Sequence, residues 1–190
     1  MRAEEKIYLA FFDLQEPKLY YNQIKAHTNL SHSSLQNALK KLKKDKIIEE
    51  EKTTAHTFYH IKDKKIFSLK FSEMTIRKFN SLNVNVKVPL RNFLRNLPEE
   101  VYTVILFGSA SRKEEKKESD IDLLVVSTKK VDLSKNKKEG EITSIHPISI
   151  FTATIRQFKE NKDHVIIQAR KTGFPIYKEQ NFYEVILDGY

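Results

Sequence analysis

Ile7, Ala10, Phe11 and Leu14 recur at helical spacing, so residues 3–14 are predicted to form an amphipathic helix that stops before Pro17. A short second helix is expected over Tyr20 to His27, broken by "TNLS", with Ser31 as the N-cap of a third. On a helical wheel Leu35, Ala38, Leu39 and Leu42 of that third helix fall on one side. "KIIEEE" and "TFYHIK" are strand-prone and flank "KTTAH", which predicts a hairpin. Residues 66–97 are expected to be connecting helices, with Pro89 near the start of the second and Pro98 after its end. From residue 101 the pattern changes. "VYTVILF" is an apolar strand, "IDLLVV" a second and "SIHPISIF" a third. A helix over about 154–171 is expected to end at Gly173, placed as a C′ residue, with Pro175 preventing its continuation.

Helix, helix–turn–helix and hairpin follow the order of a winged helix–turn–helix domain. The predicted fold class is α+β in two domains, a winged helix–turn–helix followed by a mixed sheet flanked by helices. The expected boundaries are 1–65 for the first domain, 66–100 for a helical connector and 101–190 for the second domain. Phe67 and Phe71, like Phe93 and Leu97, are expected in cores, and the lysine-rich stretch 129–138 as a solvated loop.

The 190 residues carry 34 Lys and Arg against 25 Asp and Glu, for a net charge of +9. The excess is +4 in residues 1–65 and only +2 in residues 101–190, so any nucleic-acid surface belongs to the first half. The chain has no cysteine, which excludes thiolate chemistry and fits a reducing cytosol. No apolar run approaches the ~20 residues of a membrane span. The expectation is a soluble cytoplasmic protein.

Charge placement gives the third helix an outward face. Ser33, Asn37, Lys40 and Lys44 lie opposite the apolar side, with Gln36 and Lys41 at its flanks. Amides can read adenine edges and lysines meet phosphates, so these six residues, with His56 at the hairpin tip, are the candidate contacts to double-stranded DNA. Glu49, Glu50 and Glu51 beside the hairpin oppose that reading by repelling phosphate. His56 and His60 lie about 13 Å apart on a strand, too far to share one ion.

The other chemical signal lies between the apolar strands. Asp120 and Asp122 are two apart on a strand and so point to one side, where their charges repel unless a cation joins them. A hard divalent ion such as Mg²⁺ or Mn²⁺ prefers oxygen ligands and can also bind phosphates. Gly108 and Ser109 end the preceding strand, where a glycine lets backbone approach a phosphate closely.

Gly108-Ser109, a ten-residue spacer and Asp120-Ile121-Asp122, set between two apolar strands, resemble the signature of the DNA polymerase β-like nucleotidyltransferases. The resemblance covers roughly residues 101–180. It implies an NTP substrate, ATP foremost, and transfer of its nucleoside monophosphate to a hydroxyl. Asp120 and Asp122 would be catalytic and metal-binding, and Gly108, Ser109 and Arg112 nucleotide-binding. The acceptor would be a nucleic acid, a small molecule or a protein, as in antitoxins resembling this domain that adenylylate a HEPN-type toxin. Two departures stand out. Lys113 occupies a position where relatives often carry glycine, and the third strand region offers His146, Ser149 and Thr152 but no central acid. Glu141 could supply one only if that strand began early. The alternative expectation is a DNA-binding regulator whose second domain binds nucleotide or mediates contacts. Palindrome-reading winged helices imply a homodimer.

Overall fold

The computed structural model describes residues 1–189. The chain separates into two compact units, one of residues 1–74 together with the terminal residues from 183, and one of residues 75–182. The division falls inside two helices, at Met74/Thr75 and at Phe182/Tyr183.

In the first unit, α1 (Ala3–Leu14) buries Ile7, Tyr8, Ala10 and Phe11. It ends at Gln15, whose φ of 52° is left-handed. A three-residue strand follows, β1 (Lys18–Tyr20), too short to show alternation in the sequence. Tyr20 belongs to this strand, so α2 (Tyr21–Thr28) begins one residue later than expected and ends at left-handed Asn29. α3 (His32–Lys44) is capped by Ser31, whose Oγ accepts from the Ser34 amide at 3.3 Å. Leu35, Ala38, Leu39 and Leu42 are all buried, as their spacing requires. β2 (Ile48–Lys52) and β3 (Thr57–Ile61) form the expected hairpin, closed by paired bonds between Thr53 and His56. The sheet is antiparallel in the order β1-β3-β2.

α4 (Lys64–Asn80) starts in this unit and carries Phe67 and Phe71 into its core. The Phe67 ring meets Tyr8 at 5.0 Å and Phe11 at 5.3 Å, edge to face. Such pairs add about 0.5–1.5 kcal/mol to simple area burial.

The second unit is built on a four-stranded sheet in the order β6-β5-β4-β7. Its strands are β4 (Val101–Phe107), β5 (Ile121–Ser127), β6 (Ile148–Thr154) and β7 (Phe174–Tyr177). β5 and β6 run parallel and the other neighbours antiparallel, so the sheet is mixed. One face packs on α5 (Val84–Phe93), where Val86, Leu90 and Phe93 meet Val104, Leu106, Ile121, Leu123 and Ile148. Pro89 lies inside α5 rather than near its start. Its ring is buried with that core, and packing overrides its poor fit to a helix interior.

Three expectations change here. The second half of the stretch 129–138 belongs to a helix, α6 (Ser134–Glu141), rather than to a solvated loop. The lysines are solvated, but buried Asn136 donates to the carbonyls of Phe93 and Arg95 at 3.0 and 2.8 Å. Gly140 lies where a Cβ would come within 3.2 Å of the Pro89 carbonyl. Neither residue registers in a hydrophobic pattern. The single helix over 154–171 is two, α7 (Ile155–Glu160) and α8 (His164–Thr172), divided at left-handed Asn161 and restarted by Asp163, which caps the Val165 amide at 2.8 Å. Gly173 does end α8, but in an extended conformation (φ −90°) rather than a left-handed one. Glycine is needed there for space, because a Cβ would stand 2.7 Å from the Leu106 carbonyl. The last helix, α9 (Glu179–Asp188), follows β7.

Asn136→Ala should lower unfolding stability by about 1–3 kcal/mol, the range for leaving buried carbonyls without a donor. Lys135→Ala, which removes only an exposed pair with Glu139, should stay within about 0.5 kcal/mol. Urea unfolding of both variants measures the contrast.

Candidate active site

β4 delivers the chain to Gly108, whose φ of +71° lies in the left-handed region. The preceding residue, Phe107, is paired in register with Asp122 of β5. A side chain at position 108 would run into the Asp122 carboxylate. Glycine is therefore required twice here, for its backbone angle and for the room it leaves.

The loop beyond it is held by its own polar groups. Residues Ala110–Arg112 form a 3₁₀ turn. Buried Ser111 donates through its hydroxyl to the Gly108 carbonyl at 2.8 Å and to the Thr172 carbonyl at 3.3 Å. Exposed Arg112 folds back over the loop, donating to the Gly108 carbonyl at 3.0 Å and to Glu114 at 2.7 Å. Ser109 makes no side-chain capping bond in the turn. Lys113 has φ +61°, so the backbone there is left-handed despite its side chain.

Asp120 immediately precedes β5 and Asp122 is its second residue. Ile121 between them is fully buried in the core on the opposite face. Both carboxylates are half-buried. Burial first, and then the charge of Asp120, push the Asp122 carboxyl above the usual carboxylate range. Asp120 has a partner on β6, since its Oδ2 accepts from the Ser149 hydroxyl at 2.7 Å. Ser149 is also the parallel in-register neighbour of Asp122. Gly108, Asp120, Asp122 and Ser149 thus converge on one face of the sheet.

β6 itself, Ile148–Thr154, contains no acid. Glu141 is not on the strand. It ends α6 and accepts from the Ile148 amide at 3.0 Å, tethering the strand's start. His146 precedes β6 and is buried, with its Nδ1 lacking a hydrogen-bond partner among the described residues. No cluster of three or more His, Cys, Asp or Glu suited to a metal occurs among the described residues. The donors at Asp120 and Asp122 are oxygens alone and mutually repulsive, which fits a hard divalent cation with much of its shell left for water or phosphate. Sequence reasoning gave Ser149 no role; its position beside both aspartates follows from strand register, which no local motif encodes.

The DNA-contact candidates belong to the first unit. Ser33, Gln36, Asn37, Lys40 and Lys44 are exposed along the outer side of α3. Lys41 is exposed but paired with Glu4 at 2.6 Å, a contact that holds the Glu4 carboxyl below its ordinary range. His56 is exposed at the hairpin, its ring 5.4 Å from that of Tyr20 and 6.1 Å from that of Phe58. Each of the three acids beside the hairpin faces a lysine. Glu49 pairs with Lys62, Glu50 with Lys43, and Glu51 with Lys18 at 4.0 Å, while His60 lies 2.7 Å from Glu51.

Residues 89–175 match the family model of the nucleotidyltransferase domain, a little under half of the chain. The mixed sheet flanked by helices fits that fold. No curated protein and no solved structure matches the chain. No helix among the described residues is long and apolar enough to cross a membrane.

Because the native state raises the Asp122 pKa above its unfolded value near 3.8, folding is favoured by its protonation, and stability is lost as pH rises through the raised value. Asp122→Asn should therefore melt higher than wild type at pH 7, with the gain shrinking toward pH 4. Thermal melts across that range measure it.

Proposed function

We propose that the second unit is a metal-dependent nucleotidyltransferase that moves a nucleoside monophosphate, AMP from ATP foremost, onto a hydroxyl of a protein or nucleic-acid acceptor. The observation that carries this reading is the fit of Gly108 against the Asp122 carboxylate, which puts a backbone loop open to phosphate beside paired acids. The family match over residues 89–175 supports it.

Asp120 and Asp122 would hold Mg²⁺ or Mn²⁺, which when bound neutralises phosphate charge and polarises the α-phosphate. Gly108 lets the β- and γ-phosphates come against the backbone, and the Ser109 hydroxyl donates to them. Arg112, already tied to the Gly108 carbonyl, turns its guanidinium from Glu114 to the phosphates and stabilises charge on the leaving group. The acceptor oxygen forms a bond to the α-phosphorus, the bond to the bridging oxygen breaks, and pyrophosphate leaves. Ser149 keeps Asp120 turned toward the shared face by its hydrogen bond. With no acid on β6, the acceptor's proton passes to solvent or to Asp120.

The first unit is a winged helix that binds duplex DNA. Ser33, Gln36 and Asn37 face the bases while Lys40, Lys41 and Lys44 face phosphate, and His56 lies at the wing. The ion pairs made by Glu49, Glu50 and Glu51 support this by muting the acids that would repel DNA. Two-fold related copies on a palindromic site are the matching assembly, and a HEPN-type toxin is the matching protein acceptor.

One observation favours a second reading. The absence of an acid on β6, with Ser149 seated on Asp120, also suits a domain that binds nucleotide without turning it over and thereby regulates DNA binding.

With labelled ATP, Mg²⁺ and cell lysate, wild type should label an acceptor, and Asp120→Ala or Asp122→Ala should reduce labelling at least 100-fold. Binding of ATP by calorimetry with no label in wild type would favour the second reading. For the first unit, Lys40→Glu with Lys44→Glu should weaken duplex binding more than tenfold and reduce the slope of log K against log salt by about 2. Fluorescence anisotropy at several salt concentrations tests this, and no binding by wild type at low salt would reject it.

A further inference from the structure

The face of the sheet that carries the two aspartates also carries an exposed aromatic ring. Asp122 lies opposite Ser149 and Leu124 opposite Phe151 in the parallel pairing of β5 with β6. Side chains two apart on a strand share a face, so Phe151 stands on the carboxylate face, two residues beyond Ser149. Strand rise puts it about 7 Å further along. Phe151 is 40% exposed, although the strand around it is part of the unit's main sheet.

The ring does not hang loose. It rests against Phe107 with centroids 5.7 Å apart at 57°. Phe107 is buried and is the residue paired in register with Asp122. The Phe151 ring thus has a fixed neighbour while part of it stays exposed. A cavity of about 150 Å³ adjoins it, with Leu124, Phe151, Gln157, Asp163, Val165 and Ile166 among its lining residues. β6 is the edge strand of the sheet, so backbone groups on its outer side are available to a ligand.

We infer that Phe151 is the stacking platform for the base of the nucleotide, an inference that rests on the reading of Gly108 and Ser109 as the phosphate cradle. Phosphates engaged at the loop and the aspartates would leave the roughly 7 Å from Ser149 to Phe151 along β6 for the sugar. A planar, weakly polar base gains from covering an aromatic face, whereas a phosphate or carboxylate does not. Stacking alone tolerates every base, so the platform favours purines by their larger area and leaves finer selection to the β6 edge.

The chain contains no tryptophan, so Phe151→Trp installs a single reporter. ATP with Mg²⁺ should quench that tryptophan saturably, and inorganic triphosphate with Mg²⁺ should not. By calorimetry, Phe151→Ala should weaken ATP binding about tenfold, the loss of one stacked base, while its affinity for inorganic triphosphate equals that of wild type. Phe151→Tyr should bind ATP as wild type does. If wild type binds ATP but the tryptophan responds alike to ATP and to triphosphate, and Phe151→Ala binds ATP normally, the platform is overturned and the phosphate cradle stands. If wild type binds no nucleotide at all, both fall together.

Discussion

The second unit is organised around a repulsion. Two carboxylates, Asp120 and Asp122, are held on one face of a strand whose intervening residue, Ile121, is locked into the core behind it. Neither acid can swing to the other side without pulling Ile121 out of that core. Burial and proximity together raise the Asp122 pKa, a state that works against folding and that a bound cation would relieve. The surroundings accommodate this tension instead of removing it. Gly108 gives up a side chain so that the Asp122 carboxylate has room, Ser149 supplies Asp120 with a donor, and Ser111 pins the loop from within.

Restraint of the Gly108 loop carries the consequence furthest. Its polar groups are satisfied locally, by Ser111 from the buried side and Arg112 from the exposed side. A loop so held would meet a phosphate without first having to order itself, which would preserve binding energy. The left-handed Lys113 closes the same loop with a backbone angle that residues other than glycine rarely adopt.

The first unit handles charge in the opposite way. Its hairpin acids Glu49, Glu50 and Glu51 each face at least one lysine, while Lys40 and Lys44 on α3 remain exposed. The uneven basic charge of the chain is thus sorted by position, with neutralised pairs at the sheet and cations on the helix. Exposed ion pairs of this kind contribute little stability; their effect is on the field a polyanion would meet.

Elements with strong periodicity were legible from sequence. α1, α3, the β2–β3 hairpin, β4 and β5 follow from apolar spacing, and the common face of Asp120 and Asp122 follows from the two-residue period of a strand. Elements defined by contacts were not. β1 is three residues long and exists because β3 lies beside it. α6 reads as a solvated loop until Asn136 and Gly140 are seen against Phe93 and Pro89, and the break at Asn161 splits a helix that propensity alone would continue. The sequence by itself determined which residues alternate and which carry charge, because those are properties of near neighbours. Only the tertiary structure decided that Ser149 sits on Asp120 and Phe151 on Phe107, because the pairing of β5 with β6 joins positions 27 residues apart, as Ile121 with Ile148, in a register that no local pattern records.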